Sequence, residues 1–376
     1  MSNSSKLRVG ILFGGQSAEH EISILSARNV LAALDRNRFE PVLIGIDQSG
    51  RWLRQDAQTL LASARDPRLV KIQQTQAAPM TELLPMQGQS LENRVGGHAP
   101  ASGGIDVVFP ILHGTLGEDG AMQGLLEVAG IPYVGAGVLG SAVGMDKDVM
   151  KRLLREADIP VAQFITLRRS KFDADPAAAC ATVAALGFPL FTKPANAGSS
   201  VGIRKVTAAT DLEAAIRFAF EFDTKVVCEA GVVGREIELA VLAGDPPIVS
   251  VAGEIVVQHQ DGFYSYDAKY LDDSGARLEL PAKISADETR RAQAMALKTF
   301  EALECDGLAR VDLFLKADGS LLVNEINTLP GFTAISMYPK LMELSGIRPT
   351  ELVSRLIDRA LQRGRQRAAI KHSVGG

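Results

Sequence analysis

Three cysteines in 376 residues, Cys180, Cys228 and Cys305, are too few and too scattered for a disulfide framework. No pair of them has metal-site spacing, so reduced thiols and a cytoplasmic protein are expected. Five histidines are too few for a His-rich metal protein. Basic charge is not in excess either: 40 Lys and Arg stand against 44 Asp and Glu, a formal net charge of −4. That balance argues against nucleic acid or an anionic membrane as the main partner. No apolar run reaches membrane-spanning length, and the polar leader before Leu7 lacks a signal-peptide pattern. The short basic stretch Arg363-Gly-Arg-Gln-Arg367, with Lys371, reads as a frayed end. What remains is a globular chain, 46% hydrophobic, long enough for two or three domains.

What the chain does have begins with a rhythm. Leu7-Arg-Val-Gly-Ile-Leu-Phe13 is a short apolar run ending in Gly14-Gly15, as expected of a buried parallel strand. Ser17-Ala-Glu-His-Glu21 then leads into Ile22, Ile24, Leu25, Ala27 and Val30, a helical pattern. Further strands are expected over 41–46 and 105–112, the latter followed by His113-Gly114 and a helix over 122–128. Strand, glycine turn, helix, strand predicts an α/β fold with an open Rossmann-like sheet, where ligands sit at strand ends beside glycine turns. Residues from about 73 to 104, rich in Gln, Pro, Gly and Ala, read as a surface connection. From Met145 the pattern changes to helix over 147–157, extended chain over 160–166, helix over 177–186 and strand over 189–193. The expected division is an N-terminal α/β substrate domain over 1–142, a central subdomain over 143–233, a C-terminal domain over 234–365 and a tail over 366–376.

The densest chemistry lies in Arg310-Val-Asp312-Leu-Phe-Leu-Lys-Ala-Asp-Gly-Ser-Leu-Leu-Val-Asn-Glu325-Ile-Asn327. Two apolar alternating runs flank Asp318-Gly319, the pattern of a β-hairpin with a two-residue type I′ turn. That turn would set Asp312 opposite Glu325 and Arg310 opposite Asn327, all four on one face. Opposed carboxylates repel unless something positive lies between them. A site of Asp, Glu and Asn oxygens suits Mg²⁺ holding nucleotide phosphates. A solvated hairpin face is the competing reading.

Three further segments carry polar groups at strand ends. Phe191-Thr-Lys193-Pro-Ala-Asn-Ala-Gly198-Ser199-Ser200-Val-Gly202 puts a lysine before a loop of small residues, whose N–H groups can approach phosphate oxygens. Its order is not that of a P-loop, and a plain Gly/Ser turn would also explain it. Glu229 ends one strand, and Glu236 with Glu238 lies on another; such carboxylates could hold an adenine amine and ribose hydroxyls, or be solvated edge charges. Tyr264, Tyr266, Lys269 and Tyr270, between glycines, form a candidate lid, with a Tyr-rich edge hairpin as the alternative.

Taken in order, these pieces closely resemble the D-alanine–D-alanine ligases of the ATP-grasp superfamily. The resemblance runs through Gly14-Gly15-Gln-Ser-Ala-Glu19, Leu112-His113-Gly-Thr-Leu-Gly-Glu-Asp-Gly120, Met145-Asp-Lys147 and the Lys193–Gly202 loop. It continues with Glu229, Glu236, Tyr266-Asp-Ala-Lys-Tyr270, Arg310-Val-Asp312, Asn324-Glu-Ile-Asn327 and Ser336-Met-Tyr-Pro339, covering most of residues 7 to 360. It implies three α/β domains, with ATP gripped between the central and C-terminal ones. It implies ligation of two D-alanine molecules through a D-alanyl phosphate, for peptidoglycan precursor synthesis. By the same resemblance, Asp312, Glu325 and Asn327 hold Mg²⁺, two ions, with Mn²⁺ an acceptable substitute. Lys147, Lys193, Ser200, Glu229, Glu236 and Lys269 bind ATP, and Arg310 with the Gly331 N–H stabilises the oxyanion. Glu19 takes the ammonium of the first D-alanine, with His113 beside it. Ser199 and Tyr270 tie loop and lid to Glu19, and Ser336 with Met337 borders the second substrate. A homodimer through the N-terminal domain is implied as well.

The chain departs from the family pattern where Ala230-Gly-Val-Val233 follows Glu229 with small residues, and it offers no motif over about 72–104. Tyr270 stands where depsipeptide-forming relatives often carry histidine, which favours an amine acceptor over D-lactate. The readings outside this activity are an ATP-grasp ligase with another acceptor, such as D-lactate or D-serine, and a nucleotide-binding regulatory protein without catalysis.

Overall fold

The computed structural model describes residues 6–63, 66, 69–75, 104–257 and 276–371. Among these, the strands assemble into three sheets. The first is built from β1 (Leu7–Gly14), β2 (Phe39–Ile46), β3 (Trp52–Gln55) and β4 (Val107–Pro110), in the order β3-β2-β1-β4. β1 pairs in parallel with both β2 and β4, while β3 closes an antiparallel edge. Helix α1 (His20–Ala33) crosses from β1 to β2 and buries Ile24, Ala27, Val30 and Leu31 against the sheet. The chain leaves β1 to one side for β2 and places β4 on the other. The C-terminal end of β1 is therefore a switch point, where open α/β sheets form a crevice. Gly14 and Gly15, with φ of 89° and 96°, turn the chain there and lead to Glu19 at the start of α1.

The second sheet, β5-β8-β6-β7, comprises Phe164–Arg168, Lys225–Ala230, Leu190–Pro194 and Arg204–Val206, every pairing antiparallel. The third contains β9 (Arg235–Leu242), β11 (Gly253–Val257), β12 (Ala276–Glu279), β13 (Leu308–Leu315) and β14 (Leu321–Asn327), with β10 (Ile248–Val249) paired to β9. Its two faces differ sharply. Ile237, Leu239, Val311, Leu313, Leu315 and Val323 point into an apolar core covered by the helix Ala286–Ala302. Residues two apart on the other face include Glu236, Glu238, Arg310 and Asp312.

The hairpin β13–β14 reaches the expected register by a different route. The turn is a three-residue loop, Ala317 to Gly319, closed by Gly319 N–H to Lys316 O at 2.9 Å and Lys316 N–H to Ser320 O at 2.9 Å. Gly319 takes the left-handed conformation, φ 78°, that such a loop needs. This turn would leave the far end one residue out of step. A β-bulge opposite Asp312/Leu313 corrects it: Leu313 pairs with Val323, yet Asp312 pairs with Glu325 and Arg310 with Asn327. Asn324 is the inserted residue.

The helix that carries the basic run 363–367 is anchored, which corrects the reading of that run as a frayed end. The helix Pro349–Ala368 buries Leu352, Val353, Leu356, Ile357, Ala360 and Leu361. That stripe joins one continuous cluster with Val9, Phe13 and Phe109 of the first sheet and Leu308 of the third. Arg363 donates to the carbonyl oxygens of Gly135 at 2.6 Å and Tyr133 at 2.7 Å, and Arg367 pairs with Glu127. The carbonyls need a donor because the helix seals them from water, a requirement that composition does not reveal. No helix among the described residues is long and apolar enough to cross a membrane. Arg363→Ala should cost about 1–3 kcal/mol by stranding both carbonyls. A thermal melt followed by circular dichroism checks this; an unchanged midpoint would mean the helix end is not an anchor.

Candidate active site

A cavity of about 280 Å³ opens where the three sheets meet. Its N-terminal wall is Glu19, 7% exposed and boxed in by two glycines. A methyl group on Gly198 would come within 2.5 Å of Glu19 Oε2, and one on Gly114 within 3.0 Å. Ser199 donates from Oγ to Glu19 Oε1. The 198–202 loop is thus already closed on Glu19. Ser199 and Ser200 both adopt left-handed φ, 46° and 61°. Non-glycine residues in that region cost about 1–3 kcal/mol each and persist where the surroundings impose them. Ser200, Lys193, Glu229, Glu236 and Asp312 lie outside the cavity wall, whereas Lys147, Ser199, Arg310, Glu325, Asn327 and Met337 are part of it.

The opposite wall is the polar face of the third sheet. Asp312 on β13 is in register with Glu325 on β14 and with Glu238 on β9, so three carboxylates cross the sheet in one row. Arg310 is the cation among them. Its Nε and Nη2 each donate at 2.7 Å to Asp312, and Nε is 3.0 Å from Glu238. Burial opposes the Arg310 charge, but Asp312 and Glu238 more than offset it and hold the pKa well above the usual arginine value. Lys147 reaches Glu325 at 3.6 Å and donates to Ala197 O at 2.7 Å. Asn327 Oδ1 accepts from Leu329 N–H at 3.0 Å, which leaves the oxygen a second lone pair.

The donor set of Asp312, Glu325 and Asn327 is all hard oxygen, as Mg²⁺ requires. No group of three His, Cys, Asp or Glu side chains positioned for a metal occurs among the described residues. That still fits Mg²⁺, which typically takes one or two protein carboxylates and completes its shell with phosphates and water.

His113 is buried and its ring nitrogens are both engaged. Leu329 O can only accept, so Nδ1 carries the proton at 3.0 Å; Nε2 then accepts from Ser26 Oγ at 3.0 Å. Ser26 in turn accepts the Phe332 N–H. Burial pushes the imidazole down to about 4, so it is neutral near pH 7. Gly331 follows the same loop, and a methyl group there would come within 2.8 Å of Ser336 Oγ. Ser336 precedes the helix Met337–Leu344, and its Oγ accepts from Thr333 N–H at 3.0 Å.

The central sheet contributes a separate buried cluster. Lys193 and Lys151 both lie 3.2 Å from Glu229 Oε2. Burial pushes Glu229 up, but the two lysines hold it below the usual carboxylate range. Lys269 and Tyr270, with the rest of the candidate lid, fall outside the described residues.

Two functional candidates escaped the sequence reading, Glu118 and Lys151. Glu118, 6% exposed, lines the cavity; its Oε1 accepts Gly114 N–H at 2.8 Å, and its Oε2 has no hydrogen-bond partner. Burial, and then the nearby Glu19 charge, push it well above the usual carboxylate range. Sequence places it in the His113–Gly120 turn but says nothing of its burial. Glu238, read from sequence with Glu236 as a carboxylate for the adenosine end, instead lines the cavity against Arg310. Lys151, four residues after Lys147, looks like any helical lysine.

A mostly parallel sheet followed by two antiparallel sheets, with lysines on one and a carboxylate row on the other, is the architecture of an ATP-grasp enzyme. Within that class, the chain belongs to the D-alanine–D-alanine ligase family. Its residues 8–136 match the family model for the D-ala D-ala ligase N-terminus, and 153–358 that for the C-terminus. D-alanine–D-alanine ligase A of Chromobacterium violaceum is 52% identical over 370 residues, covering 98% of this chain and 99% of its own. The ligase A of Escherichia coli K12 is 48% identical over 373 residues, covering 98% and 100%. Among solved structures, the D-alanine-D-alanine ligase of Coxiella burnetii superposes with a TM-score of 0.79 at 36% identity, covering 96% of each chain. The VanG D-Ala:D-Ser ligase of Enterococcus faecalis gives 0.76 at 33%, covering 95% of this chain and 100% of that one.

The His113 network makes a pH prediction. Its folded pKa lies below the unfolded value, so the stability it brings is present above about pH 6.5 and is lost as pH falls toward 4. Between about pH 7 and pH 5 that loss is about 2 kcal/mol. His113→Gln should narrow the gap between urea midpoints measured at the two pH values; an unchanged gap would rule out a buried neutral imidazole.

Proposed function

We propose that the protein joins two D-alanine molecules at the expense of ATP, giving D-alanyl-D-alanine, ADP and phosphate for peptidoglycan precursors. The observation that carries the reading is the separation of opposite tasks in one cavity. A boxed-in carboxylate, Glu19, forms one wall, and Glu238, Arg310 and Glu325 form the other, with Asp312 behind Arg310.

Glu19 takes the ammonium of the first D-alanine, a group that is bound but does not react. A carboxylate oxygen of that substrate attacks the γ-phosphorus of ATP, and the bond to ADP breaks. Lys147 and Lys193 take the nucleotide phosphates, and Ser200 supports them from the loop. Glu229 and Glu236 hold the adenosine end, and Lys269 comes with the lid. Mg²⁺ held by Asp312, Glu325 and Asn327 would neutralise charge on the phosphate oxygens. The deprotonated amine of the second D-alanine then attacks the acyl carbon. Arg310 and the Gly331 N–H stabilise the oxyanion, where preorganised donors have most effect. Phosphate leaves as the carbonyl re-forms. Ser336 and Met337 border the second substrate's carboxylate, while Ser199 and Tyr270 tie closure of the site to occupancy of Glu19. His113, neutral and fully hydrogen-bonded, fixes the wall beside the first substrate and is not the base. The family further supports a homodimer through the N-terminal domain and a cytoplasmic location.

The test is phosphate release from ATP and Mg²⁺ with D-Ala, L-Ala, D-Ala plus D-lactate, or D-Ala plus D-serine, products being resolved by mass. Release that requires D-Ala, with the dipeptide as product, is expected. A depsipeptide or a D-Ala–D-Ser product would move the acceptor, and no release despite ATP binding would favour a regulatory protein. Asp312→Asn and Glu325→Gln should each lower turnover on the order of a hundredfold or more while the fold persists. Full activity in either variant would remove the metal assignment.

A further inference from the structure

Lys151 has no part in the chemistry above, yet its side chain is 1% exposed. It lies one helical turn beyond Lys147, on the helix Lys147–Glu156. Its Nζ is 3.2 Å from Glu229 Oε2 and donates to Asn324 O at 3.3 Å. These partners belong to different sheets, the central one and the third. A buried ammonium is retained only where such partners offset its desolvation.

Both partners matter to the nucleotide site. Lys193 Nζ reaches the same oxygen of Glu229, also at 3.2 Å, so two ammoniums share one carboxylate. They are not equivalent: Lys193 is 12% exposed and Lys151 is sealed. Asn324 is the residue that the bulge inserts, and an inserted residue loses its place in the ladder. A donor on its carbonyl steadies the kink that brings Glu325 opposite Asp312.

On the nucleotide-site reading above, we propose that Lys151 is a positioning residue. It is the fixed counter-ion of Glu229, freeing Lys193 to exchange that carboxylate for a phosphate, and it holds the bulge that aims Glu325 and Asn327. Without it, Glu229 has Lys193 as its cation, and a phosphate must compete with a buried carboxylate for that lysine.

Steady-state kinetics on the full chain test this, with ATP, Mg²⁺ and D-alanine varied in turn. Lys151→Met should raise KM for ATP about tenfold or more, and raise the Mg²⁺ needed for half-maximal rate, with smaller changes in kcat and in KM for D-alanine. In a Glu229→Gln background the same change should add little, because no carboxylate is left to retain Lys193. Losses that simply add in the double variant, or that fall equally on all parameters, would mark a packing role and overturn the proposal. Should Lys151→Met fail to fold by circular dichroism, Lys151→Gln carries the comparison, since it keeps a donor and lacks the charge. An unchanged KM for ATP in Lys151→Gln would overturn the counter-ion role. Lys193→Met separates the two levels. If it raises KM for ATP while the Lys151 variants do not, the Lys151 proposal alone fails. If neither does, the nucleotide-site assignment fails with it.

Discussion

Three carboxylates in a row across adjacent strands are an arrangement that a sheet resists, and much of this molecule is organised around making the row of Glu238, Asp312 and Glu325 tolerable. Like charges directly opposed are destabilising. Here the row is held by Arg310, forked onto Asp312 and touching Glu238, and by Lys147 against Glu325. The opposite face of the same strands is largely apolar and covered by helices, so a slip in register would bury the carboxylates there rather than relieve the repulsion. A site with pre-placed negative charge and resident protein cations is poised to exchange partners when a charged ligand arrives.

The other wall depends on sterics. Glu19 sits between Gly114 and Gly198, where a methyl group would come within 3.0 Å and 2.5 Å of its carboxylate, and Ser199 holds it by a hydrogen bond. The carboxylate therefore has little freedom before any substrate arrives. Preorganisation of this kind removes an ordering cost that binding would otherwise carry. The strained backbone at Ser199 and Ser200 has the same origin, since closing a loop on a buried carboxylate leaves few conformations.

How much of this was legible in the residues varied with its physical basis. Periodicity exposed β1, β2 and β4 of the first sheet, the hairpin and the helices His20–Ala33, Ala121–Val128, Lys147–Glu156 and Pro176–Ala184, because alternation and 3.6-residue patterns are local. β3 and the helices Val138–Met145, Ala286–Ala302 and Met337–Leu344 were not read. The pairing of Asp312 with Glu325 was reached correctly, but from a two-residue turn; a longer turn and a compensating bulge produce the same facing pair. Turn length is not readable when Asp-Gly suits both geometries. Glu118 and Lys151 were invisible as site residues because burial is a tertiary property, and their types are usually surface types. The anchored basic helix was misread for the same reason: its acceptors, Tyr133 O and Gly135 O, lie more than two hundred residues away in sequence.

That last helix has a bearing on how the protein is made. The helix Pro349–Ala368 packs against β4 and α1 and shares one apolar cluster with Val9, Phe13 and Phe109, so the N-terminal sheet finishes its core with a helix from the far end of the described residues. The N-terminal sheet cannot mature as an independent early unit during synthesis. It must wait, partly uncovered, until nearly the whole chain is available. A product stalled before Pro349 would present that apolar surface to whatever chaperone or protease is nearest, so the fold itself marks chains that lack this helix.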